Sequence, residues 1–60
     1  MRVTPREQEV LQLLNHRYTN KQIAKVMGIS TYTVRDHVSS LLHKAGKRHR
    51  AELVEAASRV

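Results

Sequence analysis

Between Thr19 and Ser30 the chain signals the start of a helix twice and the end of one once, and this spacing constrains the fold more than any other feature. Thr19-Asn20-Lys21-Gln22 has the form of a capping box, with Thr19 as cap and Gln22 three residues on. Gly28 suits a helix stop, because it takes positive φ without penalty. Ser30, two residues later, is the next cap. The segment therefore holds one short helix, with Ile23, Ala24, Val26 and Met27 on its apolar side, followed at once by another.

The punctuation continues in both directions. Thr4-Pro5-Arg6-Glu7 reads as a second capping box, with Pro5 at the first helical position, where its missing amide proton costs nothing. Val10, Leu11 and Leu14 form the inner stripe of that helix, which ends at Asn15 or His16. The helix capped by Ser30 runs to about Ala45, where Gly46 stops it. Lys47 and Arg48 then lead to a fourth helix, from about His49 to Ser58, for which His49 is a poor cap. No segment alternates apolar and polar residues for more than a few positions, so strands are not expected. The fold class is all-α, a compact four-helix domain spanning residues 1–60.

Sixty residues bury only about 60% of the surface their unfolded chain exposes, which allows one core and one function. With no cysteine, neither disulfides nor thiolate metal sites reinforce that core. No apolar run reaches the roughly 20 residues of a membrane span, and the first residues lack the apolar core of a signal peptide. A soluble, cytoplasmic chain with no membrane partner is expected.

Charge is unevenly distributed. Residues 10–50 carry Arg17, Lys21, Lys25, Arg35, Lys44, Lys47, Arg48 and Arg50 against the single acid Asp36, a balance of +7. The ends carry Arg2, Arg6 and Arg59 against Glu7, Glu9, Glu52 and Glu55, a balance of −1. A basic middle between nearly neutral ends points to a polyanion, most simply nucleic acid. A solvated lysine-rich surface is the plainer alternative.

Within the third helix, Val34, Val38, Leu41, Leu42 and Ala45 share a core-facing stripe about 100° wide. Tyr32, Arg35, Asp36, Ser39 and His43 share the opposite face, with Tyr, Ser and His where Glu, Lys and Gln usually stand on a solvated helix. Two short helices joined through Met27-Gly28-Ile29-Ser30, with Ala24 permitting close approach and Ile29 pinned in the turn, have the layout of a helix-turn-helix.

In these residues the chain resembles the LuxR/FixJ-type (GerE-type) DNA-binding domain found at the C-terminus of many bacterial transcription regulators. The resemblance runs from Thr4-Pro5-Arg6-Glu7 and Val10-Leu11, through Asn20-Lys21, Ile23-Ala24, Ile29-Ser30, Thr33-Val34-Arg35 and His37, to Lys44, Gly46, Arg50 and Glu52-Leu53. It implies that the second and third helices form a central helix-turn-helix, that the third enters the major groove of double-stranded DNA, and that the fourth pairs two copies into a homodimer on DNA. It also implies the output module of a longer regulator, nucleoid-associated in a bacterial cytoplasm, with RNA polymerase as a further candidate partner. Arg17 departs from the pattern, standing where the family usually has Gly. The turn is therefore built differently, or Arg17 takes an unusual backbone angle. Ala45 and Lys47 also depart, which bears on how the fourth helix packs against the third.

Phosphate contacts fix register and base-edge contacts carry sequence information, so the two sets are assigned separately. Asn20 and Lys21 lie at the exposed amides of the second helix's start, where the helix dipole suits an anion; Lys21 is the leading phosphate residue, the alternatives being a pair with Glu7 or plain solvation. Thr31, Tyr32 and Thr33 are expected to seat the third helix on the DNA backbone, the alternative being helix capping, and Lys44 joins them by family position. His37 is either a phosphate contact or a packed structural residue. By resemblance Arg35, Asp36 and Ser39 meet base edges. Arg35 has the fork for guanine, with a phosphate clamp as its alternative; Asp36 either accepts from cytosine or orients an Arg. Gly28 and Gly46 are structural, as are Glu7 and Arg50, which are expected to form an ion pair between the first and fourth helices.

Enzymatic chemistry is not expected. His37 and His43 are six residues apart, as are His43 and His49, which is not the i, i+4 spacing that puts two ligands on one helix face. There is no Gly-rich phosphate loop and no pocketable Ser-His-Asp set, so neither cofactor nor metal is assigned. Two other readings remain: a sigma-factor-like promoter-reading domain, and a small helical protein-interaction module.

Overall fold

The computed structural model describes residues 2–58, with side chains through Val54; Glu55 and Arg59 of the charge balance lie outside the described side chains. Four helices follow one another: α1 (Pro5–Asn15), α2 (Asn20–Met27), α3 (Thr31–Ala45) and α4 (Arg50–Ser58). There is no strand among the described residues.

Each of the first three helices starts on its expected cap. Thr4 Oγ1 accepts from the Glu7 amide at 3.1 Å while Glu7 Oε1 accepts from the Thr4 amide at 2.9 Å. Thr19 and Gln22 repeat the exchange at 3.2 and 2.8 Å. Ser30 Oγ accepts from the Thr33 amide at 3.1 Å. Amides that would otherwise lack partners are thereby satisfied at each helix start. The fourth helix begins at Arg50, one residue later than expected, and its first turn is closed by the Glu52 amide donating to the His49 carbonyl at 3.0 Å.

The same three helices also end alike. Each is followed by a residue in the left-handed region, Arg17 (φ 64°), Gly28 (φ 67°) and Gly46 (φ 66°). In each case the next residue donates its amide back five positions: Tyr18 to Leu13 at 3.1 Å, Ile29 to Ala24 at 3.0 Å, and Lys47 to Leu42 at 2.9 Å. This is the Schellman closure, which satisfies carbonyls that the helix leaves open. Arg17 thus takes the unusual backbone angle, and the turn retains the form that glycine gives the other two.

Val10, Leu14, Ile23, Ala24, Val34, Val38, Leu41 and Leu53 form the core, with Leu11, Met27, Ile29, Leu42 and Ala45 packed against it. Each fully buried aliphatic contributes roughly 1.5–3 kcal/mol. Val26 does not belong to this set. It is 61% exposed, because the buried arc of α2 runs from Ile23 through Met27 to Ala24 and Val26 falls outside it. α4 packs more on α1 than on α3.

Candidate nucleic-acid interface

The first half of α3 packs its apolar side into the core and turns its polar side outward. Val34, Val38 and Leu41 are buried, whereas Tyr32, Arg35, Asp36 and Ser39 are exposed and together line one open cleft of about 200 Å³. Four side chains spaced i, i+3, i+4 and i+7 meet in this way because 3.6 residues per turn bring them onto one face.

At the start of α3 the hydroxyls divide their work. Ser30 Oγ serves the Thr33 amide and also lies 2.9 Å from Thr33 Oγ1, so Ser30 and Thr33 are occupied with each other. Thr31 and Tyr32 are exposed, and as the first two helical residues their amides have no intrahelical acceptor. The start of α2 offers the same arrangement, with the amides of Asn20 and Lys21 open and the Lys21 side chain exposed beside them.

The other flank of α3 turns towards α1. Thr33, His37 and Ser40 are half-buried there. Lys44, at the end of this row, donates to Glu7 Oε1 at 2.5 Å. The side chain of Glu7 is 6% exposed and that of Lys44 33%. The Lys44 ammonium, the Ser40 hydroxyl and the Thr4 amide together hold the Glu7 carboxyl at about 2, well below its ordinary 4.5.

This geometry corrects the expected Glu7–Arg50 ion pair. Glu7 lies where α1 crosses α3 and meets Lys44 instead. Arg50 is drawn to the α1–α2 turn, where Nη1 donates to Asn20 Oδ1 at 2.8 Å and Nη2 donates to the Tyr18 carbonyl at 2.5 Å. Each of the two residues thus has partners other than the expected one. Asn20 and Lys44, assigned to phosphate from the sequence, are thus engaged within the domain. No sequence signal pairs Lys44 with Glu7, although its i, i+4 relation to Ser40 marks the flank that reaches α1.

Among the described residues no group of His, Cys, Asp and Glu could hold a metal ion, and no helix is long and apolar enough to cross a membrane.

The GerE family model, described as bacterial regulatory proteins of the luxR family, matches residues 1–57. The chain belongs to this family. Its helix-turn-helix is that of a DNA-binding, transcription-regulating domain, and the luxR-family relatives include longer proteins. The chain is 38% identical over 58 residues to the HTH-type transcriptional regulator MalT of Yersinia pestis, covering 97% of this chain and 6% of that protein. It is 40% identical over 55 residues to the probable transcriptional regulator ycf29 of Pyropia yezoensis, covering 92% of this chain and 25% of that one. A solved structure described as that of the transcription factor GerE superposes with a TM-score of 0.84 at 37% identity, covering 95% of this chain and 85% of the other.

Proposed function

We propose that this luxR-family domain binds double-stranded DNA sequence-specifically, with α3 lying in the major groove, and serves as the output module of a longer bacterial regulator. The observation that carries the reading is the outward face of α3, where Arg35, Asp36 and Ser39 stand exposed on the side away from the core. Arg35 offers a bidentate donor for guanine, Asp36 an acceptor, and Ser39 either function.

Two helix starts supply the backbone contacts. The open amides of Asn20 and Lys21 with the Lys21 charge, and those of Thr31 and Tyr32, lie at positive dipole ends suited to phosphate. Thr33 and His37 border this region, half-buried. Lys44 contributes little to phosphate binding, since Glu7 neutralises it. Arg50 holds Asn20 in place for its amide to be presented, and Lys21 carries the main charged contact.

One helix reads few base pairs, so two copies paired through α4 provide a site of useful length. Such a domain acts in the bacterial cytoplasm at the nucleoid, with RNA polymerase as a further partner, and performs no catalysis.

Duplex binding measured over a salt series tests the reading. Affinity is expected to fall steeply and linearly on a log–log plot, as counterions are released by each neutralised phosphate. Negligible affinity for any duplex at low salt sinks it and favours a protein-interaction module.

A further inference from the structure

We infer that Tyr32 is a base-reading residue, which packs its ring on the 5-methyl group of a thymine at one end of the site read by Arg35, Asp36 and Ser39. This rests on the proposed placement of α3 in the major groove, and it moves Tyr32 out of the set that touches only the DNA backbone.

Three observations carry the assignment. Tyr32 is 71% exposed and lines one cleft together with Arg35, Asp36 and Ser39. The cap is already complete: Ser30 Oγ binds the Thr33 amide and approaches the Thr33 hydroxyl, so the Tyr32 hydroxyl has no role in it. Finally, the residue at this point of the cleft is large and aromatic. A phosphate contact at a helix start needs only an amide or a short hydroxyl, which Thr31 next to it supplies. A single exposed ring on a protein surface means little. A ring lining the same cleft as a guanidinium and a carboxylate, opposite the core, is placed to meet what they meet.

The rest follows from groove chemistry. In the major groove the apolar feature of a base pair is the thymine methyl, guanine offers two acceptors, and cytosine and adenine each offer an amino donor. Tyr32, Arg35 and Asp36 match these in turn as an apolar surface, a paired donor and an acceptor. With a rise of about 1.5 Å per residue, Tyr32 and Ser39 lie roughly 10 Å apart along α3. At roughly 3.4 Å per base pair this spans about three steps. The half-site is therefore about four base pairs long, with an A·T pair oriented to present its methyl at the Tyr32 end, followed by a guanine for Arg35 and an amino-bearing base for Asp36.

The test begins with binding-site selection from random duplexes using the intact protein. The selected duplex is then remade with each thymine in turn replaced by uracil, which removes only the methyl. One replacement, one or two pairs from the selected guanine, is expected to weaken binding about 4-fold, the effect of burying one such group. Tyr32→Ala is expected to lose that sensitivity, and Tyr32→Phe to keep it. As Tyr32 is exposed, both variants are expected to retain the wild-type helical circular dichroism. Indifference of the wild type to every thymine-to-uracil change overturns the inference. So does a Tyr32→Ala loss equal on selected and random duplexes, or loss of the methyl sensitivity in Tyr32→Phe, since each returns Tyr32 to the backbone. If Arg35 reads its guanine normally in these experiments, only the role of Tyr32 has failed. If selection enriches no sequence at all, the base-reading function fails with it.

Discussion

The Lys44 ammonium lies 2.5 Å from Glu7 Oε1, and the same oxygen accepts the amide of Thr4 at 2.9 Å. One carboxylate therefore closes the start of α1 and anchors the end of α3. Its value of about 2 in the folded chain, against an ordinary 4.5, means that the unfolded chain binds more protons between those limits. Stability from this group is present above about 4.5 and is lost as pH falls towards 2. Glu7→Gln is expected to lower Tm by several degrees at neutral pH, by leaving Lys44 without its counter-charge. The gap between wild type and variant should narrow as pH falls through the same window. Thermal melts at pH 7, 4 and 2.5 check this, and a gap that stays constant refutes it.

Arg17 offers a stabilising change. A left-handed backbone costs an L residue roughly 1–2 kcal/mol, and glycine gives back roughly 0.5–1 kcal/mol of that in the entropy it loses on folding. Arg17→Gly is therefore expected to stabilise the fold by about 0.5–1 kcal/mol, raising Tm by a few degrees in urea-verified two-state melts. Gly28→Ala should do the reverse by about 1 kcal/mol. No atom lies within 4 Å of the Cβ it would add, so backbone angle alone sets that cost.

Arg50 joins α4 to the α1–α2 turn through two separate nitrogens. Arg50→Lys cannot reproduce that fork, because an ammonium is a single point of donation. It should cost about 1–2 kcal/mol in denaturant unfolding, nearly as much as Arg50→Ala. In a double-mutant cycle with Asn20→Ala the two changes should be less than additive. Full additivity would mean that the Asn20 contact contributes nothing.

Lys21 and Arg35 separate phosphate from base contacts. Lys21→Ala should weaken binding to all duplexes alike and reduce the salt slope by about one. Arg35→Ala should cost about 1–3 kcal/mol on the preferred site and relax selection at one base pair. Equal losses for Arg35→Ala on specific and random duplexes, in gel shifts at fixed salt, would make it a phosphate clamp.

What was legible in the sequence divides along range. Thr4, Thr19 and Ser30 each bond a residue three positions away, so residue type and spacing alone reveal the caps. Gly28 and Gly46 are equally local, and the departure at Arg17 was visible because the turn needs positive φ whatever residue fills it. The partner of Glu7 was not legible, since it depends on where α1 crosses α3. Val26 was misplaced for a related reason. Its apolar character fits the stripe of α2, but the width of that stripe is set by the neighbours α2 actually meets. The face of α3 was legible from periodicity, whereas the joining of Tyr32 to Arg35, Asp36 and Ser39 in one cleft required the side chains.

The repeated helix ending at Arg17, Gly28 and Gly46 also bears on how quickly the domain forms. Each helix is begun by a bond across three residues and finished by one across five, so most of the chain's layout is decided between near neighbours. Helical domains dominated by such local contacts fold in microseconds to milliseconds. A segment of this kind can acquire its shape almost as soon as it leaves the ribosome.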